Sequence, residues 1–296
     1  MRYLLYLIIS IAARNVNSQT VLPSFSGIHY KKSTDWSPSD VTISGWIDAN
    51  DSENYTASGT TLTGVTDKSG TSSFNVNGTP TIVSAGLNSL SVFDFSGTSE
   101  NIMSASYISH TDGSGNHWAI GVFLADNVNN KRDSFWSFHT TTSPERDYSI
   151  SSATSSNSWP GEIDLDGLSN NRISSTMGNG ENWSSSASID NWHIVVAIFN
   201  KTGNRIQVRL NGSYVVNVSD YDNSIQTSQE LRLMRNRGSV HLDGRVAEFF
   251  SVKDIPGTGG TDISDVEKAE GYLAHKWGLT GNLPVTHPYK SSAPSN

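Results

Sequence analysis

Residues 205–219, RIQVRLNGSYVVNVS, carry two alternating runs, Ile206–Val208–Leu210 and Tyr214–Val216–Val218, joined by Asn211-Gly212. Strand side chains point to opposite faces in turn, so each run offers one apolar face. The two-residue turn that best joins twisted strands needs positive φ at both positions, which Asn and Gly tolerate. The stretch therefore reads as a β-hairpin.

The same pattern continues on both sides of it. WHIVVAIFN (192–200) is almost wholly apolar, as expected of a central strand covered on both faces. HWAIGVFLAD (117–126) puts Trp118, Ile120, Val122 and Leu124 on one face, the alternation of a half-buried strand. LSVFDFSG (90–97) sets Phe93 and Phe95 against Val92. VTISGWIDAND (41–51), LRLMRN (231–236) and VHLDGRVAEFFSV (240–252) add further strands. Short strands between Gly, Asn and Ser turns predict an all-β fold, a two-sheet antiparallel jelly-roll sandwich.

One helix is predicted, SDVEKAEGYLAHKWG (264–278). Ser264 and Glu267 have the spacing of a capping box. Val266, Ala269, Leu273 and Trp277 form one apolar stripe, and Gly278 is placed to end the helix. Trp46, Trp118, Trp192 and Trp277 fall on periodic apolar faces and are read as core. No internal repeat is present, so the organisation reads as one β-domain over 41–296 behind a segment of 1–40.

The 296 residues contain no cysteine, 35% apolar and 16% charged residues, with a net charge of −8. Disulfide stapling and thiolate zinc sites are excluded. The acidic balance and the lack of a basic stripe argue against a nucleic-acid partner. Abundant Ser, Thr, Asn and Gly suit turns and a surface of hydroxyls and amides.

The first residues, MRYLLYLIISIAARNVNSQT (1–20), hold an apolar run from Leu4 to Ala13. It is too short to span a bilayer, which takes about 20 apolar residues. Two readings fit it. It has the length of a signal-peptide core, with Val16 and Ser18 ahead of Gln19 as a cleavage site. Alternatively it is a retained assembly arm whose Leu4, Leu5, Leu7, Ile8, Ile9 and Ile11 pack into a neighbouring subunit.

Taken in order, ISGWIDANDSENYTASGTTLTGVTDKSG, LNSLSVFDFSGTSENIMS, WHIVVAIFN, IQVRLNGSYVV, LDGRVAEFFSV and EKAEGYLAHKWGLTGNLPVTHPY resemble the laminin-G-like, concanavalin A-like lectin and glucanase jelly-roll domains. The resemblance runs from Val41 to about Tyr289, and EGYLAHKWGL…LP…HPY is its most specific part. Such domains occur in exported proteins of marine bacteria and in structural proteins of tailed phages. The resemblance implies two antiparallel sheets with a concave face and end loops that often bind sugars, sometimes with calcium. It does not imply one activity.

GEIDLDG (161–167) places Glu162, Asp164 and Asp166 on alternate positions. Glu162 and Asp164 match the start of the strand motif of the related glucanases. Asp166 stands where the closing Glu would be needed, and its shorter side chain widens a gap that retention requires to be about 5–5.5 Å. A short solvated strand is the plainer reading; Asp164 and Asp166 are also the candidates for a calcium ion. No other cofactor is expected. The histidines show no metal-binding spacing.

In the middle of the chain, aromatic rings lie among Asn, Ser and charged residues. Trp136, His139, Arg146, Tyr148, Trp159 and Trp183 are therefore the glycan-binding candidates, since rings stack on sugar C–H faces and polar groups bind hydroxyls. The expectation is a non-enzymatic protein of a virion surface, a decoration, fibre or tail component. Its partners would be other virion proteins or copies of itself, as a homo-oligomer, and a cell-surface glycan. The alternatives are a secreted, extracellular lectin-like adhesion module and, behind it, a glycoside hydrolase.

Overall fold

The computed structural model describes residues 35–70, 72–106, 108–109, 116–127, 133–139, 148–153, 163–166, 172–176, 182–188, 190–200, 203, 205–219, 228–235, 241–253 and 263–296. The strands among them are β1 (Ile43–Asp48), β2 (Tyr55–Ser58), β3 (Thr61–Thr66), β4 (Ser73–Asn77), β5 (Thr81–Leu87), β6 (Leu90–Ser96), β7 (Asn101–Ser104), β8 (Ile108–Ser109), β9 (His117–Asn127) and β10 (Asp133–His139). Then come β11 (Tyr148–Ala153), β12 (Ile163–Asp166), β13 (Arg172–Thr176), β14 (Asn182–Ser188), β15 (His193–Asn200), β16 (Arg205–Leu210), β17 (Ser213–Ser219), β18 (Ser228–Leu233), β19 (Asp243–Lys253) and helix α1 (Ser264–Lys276).

The pairings build two layers. In the first, β1 and β6 share one edge of β19, and β9, β15, β16 and β17 follow from its other edge. In the second, the order is β2, β3, β4, β7, β18, β10, β11, β12, β13, β14. The chain is thus an all-β sandwich with a single helix among the described residues. The described pairings are antiparallel, as expected, except that β11 and β12 run parallel.

Between the layers lies an aromatic core. Phe123 and Phe249 of the first layer meet Trp136 of the second, each with ring centroids 5.5 Å apart. Phe93, Phe95, Phe138, Phe199 and Leu231 complete it. A large apolar side chain taken fully out of water contributes about 1.5–3 kcal/mol, so this interior carries most of the stabilisation.

The hairpin read from Asn211-Gly212 is present, with φ of 51° and 81° at the two turn residues. The strand WHIVVAIFN is covered on both faces: Val195, Ala197 and Phe199 point into the sandwich, Ile194, Val196 and Ile198 toward the helix. The half-buried reading of β9 is corrected. Trp118, Ile120 and Val122 do share a face, but that face lies under α1, while Ala119, Phe123 and Ala125 fill the sandwich. Both faces are dry because the helix supplies a third layer.

Val266, Ala269 and Leu273 of α1, and Trp277 at its C-terminal cap, are all fully buried against this outer face. The helix starts differently from the capping-box expectation. Ile263 occupies the cap position, without a side-chain cap bond, and Ser264 is the first helical residue. The C-terminus ends as expected, with Gly278 at φ 71° and the Leu279 amide donating to the Ala274 carbonyl at 2.7 Å. Trp36 is buried beside Tyr272, and its amide donates to the Pro294 carbonyl at 3.0 Å. No helix among the described residues is long and apolar enough to cross a membrane.

Candidate functional site

The helix covers the outer face of the first layer. The second layer presents its outer face differently, and its strand register shows how. One row across it is apolar: Val76, Ile102, Leu233, Trp136 and Ile150 are successive partners on β4, β7, β18, β10 and β11. The described side chains of that row lie against or within the sandwich core. The next row is Asn75, Met103, Arg232 and Ser137. Because adjacent positions on a strand face opposite ways, this polar row belongs to the outer face.

Arg232 lies along this face and donates through Nε to Glu230 Oε1. Arg235, just past the end of β18, turns back so that its Nη1 reaches Met103 Sδ at 3.3 Å. Its carbonyl accepts from Ser137 Oγ at 2.9 Å. Asn77 Nδ2 donates to Asn101 Oδ1 at 3.0 Å on the same sheet. Burial first, and then the neighbouring charge of Arg232, hold Arg235 below the ordinary guanidinium range. Burial likewise lowers His241, which forms a β-bridge with Arg235. Ser137 and Arg232 are buried, so the groups of this face that can meet a polyhydroxylated ligand are the exposed Asn75 amide and the half-buried Glu230 and Arg235.

The residues proposed from sequence fare unequally. Trp136 is a correction: it is 1% exposed and packed between Phe123 and Phe249, so no sugar ring can stack on it. A bulge between Ser134 and Trp136 lets Phe135 and Trp136 both enter the core, which a plain alternation would forbid. His139 is the strand partner of Glu230, beside the polar row, and Tyr148 is the partner of the core residue Phe138. Asp164 and Asp166 lie on β12, where Asp164 is partnered by Ser151 and Thr176. Trp183 lies on β14 opposite Ser175. The side chains of His139, Tyr148, Asp164, Asp166 and Trp183 are outside the described residues. So are Arg146, Trp159, Glu162 and the arm residues Leu4, Leu5, Leu7, Ile8, Ile9 and Ile11 in full.

A second polar constellation had not been anticipated, and it lies under α1. Glu248 of β19 is fully buried. Its Oε1 accepts from Trp46 Nε1 at 2.9 Å and Tyr272 OH at 3.1 Å. Its Oε2 accepts from Trp277 Nε1 at 2.9 Å and Lys276 Nζ at 2.6 Å. Lys276 Nζ also reaches Asp48 Oδ2 at 2.8 Å, and Lys68 Nζ lies 2.9 Å from that same oxygen. Burial raises the Glu248 carboxyl above its usual range; the charge of Lys276 opposes this and that of Asp48 adds to it. Tyr272 is also raised, by burial and by the Glu248 and Asp48 charges. The available signal was Glu248 itself, a carboxylate inside the apolar run VAEFFSV.

A further ionic anchor ties the hairpin to the helix. Arg209 grips Glu270 with two bonds, Nε to Oε1 at 2.8 Å and Nη2 to Oε2 at 2.9 Å. His287 Nε2 lies 3.1 Å from Glu270 Oε2. Burial works to lower Arg209, but the bonds and charge of Glu270 outweigh it and leave the guanidinium raised. No group of three or more ligating residues among the described ones has the arrangement of a metal site.

No protein-family model and no curated protein sequence matches the chain. Among solved structures it is similar to domain 4 of a GH43 extracellular arabinanase from Geobacillus stearothermophilus in complex with arabinotriose. That likeness has a TM-score of 0.48 and 9% identity, over 76% of this chain and 98% of that one. It is similar to a Trypanosoma rangeli sialidase in complex with sialic acid, with a TM-score of 0.48 and 8% identity, over 78% of this chain and 33% of that one. It is also similar to the binding domain of botulinum neurotoxin DC in complex with SialylT, with a TM-score of 0.48 and 13% identity, over 78% of this chain and 51% of that one. The chain thus spans about a third of the sialidase and half of the toxin domain.

Proposed function

We propose that the protein is a non-catalytic glycan-binding sandwich module, carried on a virion surface as a decoration, fibre or tail component. The observation that carries the binding part is the division of labour between the two outer faces. Helix α1 closes the first, whereas the second keeps Asn75 exposed and Met103, Glu230 and Arg235 half-buried, beside the buried Arg232 and Ser137. The laminin-G-like resemblance of the sequence and its hydroxyl-rich composition support the same reading. Glycoside hydrolysis calls for two carboxyl groups flanking one bond. Along the described part of this row Glu230 stands among donors.

A glycan array with the full chain tests the binding. Hits that vanish in Arg235→Ala support the face; an array without hits, or hits indifferent to that change, overturn it. For the surface role, the arm of residues 4–13 is the element that would dock on a neighbouring subunit. Intact mass of the mature protein separates the two readings of that arm. A chain beginning at Gln19 favours the secreted lectin-like module over the virion component.

A further inference from the structure

The constellation under α1 sets one amine between two buried carboxyl groups. Lys276 Nζ is held between two carboxyl groups, 2.8 Å from Asp48 Oδ2 and 2.6 Å from Glu248 Oε2. The carboxyl carbon of Asp48 is the atom bonded to Oδ2, so a turn of this carboxyl group about its Cβ–Cγ bond is what brings its face to the amine. Asp48 Oδ1 faces the other way and accepts from the Asn50 amide at 3.2 Å. Lys68 Nζ stands 2.9 Å from Oδ2 as a second cation. Glu248 is fully buried and fixed by two indole N–H groups and a phenol, so it cannot swing away from Lys276.

We propose that Lys276 and Asp48 condense to an isopeptide bond, with Glu248 carrying the proton, so that α1 is covalently stapled to β1. Glu248 takes one proton from the Lys276 ammonium and leaves a neutral amine. The amine lone pair attacks Asp48 Cγ, forming the C–N bond, while the Asn50 amide and the Lys68 ammonium hold the charge that develops on Oδ1 and Oδ2. Oδ2 receives the proton from Glu248 and a second one from the attacking nitrogen. The C–Oδ2 bond then breaks and one water leaves. Ammonium and carboxylate become amide and water, Glu248 returns to its starting state, and no oxidant or co-reactant is required. A retained carboxylate in this position is a strong base because burial raises its proton affinity. The product would join residues 228 positions apart in a chain that has no cysteine for a disulfide.

Peptide mapping by mass spectrometry of the full chain tests this directly. The expected result is that trypsin fails to cut after Lys276 and that the peptide holding Lys276 is joined to the one holding Asp48. The joined species weighs one water less than the pair. K276R keeps the positive charge and the ion pair but lacks the amine, and should give separate peptides of full mass. E248Q should slow the joining by about 100-fold or more, the usual worth of a positioned general base. Separate peptides from the unaltered chain, a link running from Asp48 to Lys68, or equal joining in E248Q each overturn the proposal. Circular dichroism of the variants shows that they fold, and glycan binding is read separately because the staple lies under α1, away from the binding row.

Discussion

Asp48 and Glu248 are direct partners across the β1–β19 ladder, and both carboxylates accept from the single Nζ of Lys276. Burial, with the Asp48 charge adding to it, raises the proton affinity of Glu248, and before Lys276 and Asp48 join, the helix supplies the cation that lets the two acids coexist. Before that bond forms, the attachment of α1 to the sandwich is therefore both apolar, through Leu273 and Trp277, and ionic.

The first prediction follows from the sign of the Glu248 shift. Its folded pKa lies above the ordinary 4.5, so between these values the folded chain holds a proton that the unfolded chain has lost. Stability from this group is complete below the unfolded pKa and falls as pH rises through the folded one. E248Q should remove that part of the slope, at most about 1.4 kcal/mol per pH unit. Urea unfolding of K276R with and without E248Q, neither of which can join residues 48 and 276, measures it from pH 4 upward; parallel slopes would disprove the assignment.

The second contrasts a residue of the interior with one of the binding face. Trp136→Ala should cost about 3–5 kcal/mol by opening a cavity beside Phe123 and Phe249. Arg235→Ala should cost about 1 kcal/mol or less, yet abolish glycan retention. Thermal melts paired with array signal distinguish the two. A Trp136→Ala protein of unchanged stability would contradict the packing described above.

These cases show what can be read from sequence and what cannot. Asn211-Gly212 was legible because a tight turn depends on two adjacent residues, and β15 because an unbroken apolar run has few other homes. Trp136 was misjudged because the bulge beside it, which turns two successive rings inward, leaves no mark in DSFWSFH. The Asp48–Glu248–Lys276 cluster was invisible for another reason. Its members come from β1, β19 and α1, and only the closed fold brings them together. The outer polar row is equally non-local: Asn75, Met103, Arg232 and Ser137 lie on four strands whose order does not follow the chain.

A third prediction concerns the hairpin turn. At Gly212, φ is 81°, and a Cβ there would sit 2.8 Å from His287 Cδ2 and 3.1 Å from Pro284 Cδ. Gly212→Ala should therefore destabilise by more than about 1 kcal/mol, since it adds a clash with the C-terminal tail to a left-handed backbone. Gly59 has φ of 62° but open space around it. Gly59→Ala should cost only the conformational part, about 1 kcal/mol. Equal losses in the two variants would show that the tail does not rest on the turn.

The last prediction asks what the Arg209–Glu270 pair does. Glu270 is fully buried and joins three segments: Arg209 of β16, its own helix, and His287 of the tail. Arg209 Nη2 also donates to the Gly212 carbonyl at 2.8 Å, so the same guanidinium holds the hairpin turn. Removing one partner leaves an uncompensated charge in a dry site, and Glu270→Ala should cost about 3–5 kcal/mol. Replacing both by apolar residues of similar length, Arg209→Met with Glu270→Leu, removes the stranded charge. That double variant should be more stable than Glu270→Ala alone, because desolvation had offset much of the Coulombic gain. If the double variant is instead the less stable of the two, the pair contributes net stability, and its three-way geometry has more than repaid the loss of water. Urea midpoints at constant slope give the comparison, and hydrogen exchange in α1 reports whether the helix loosens from β16 before the sandwich opens.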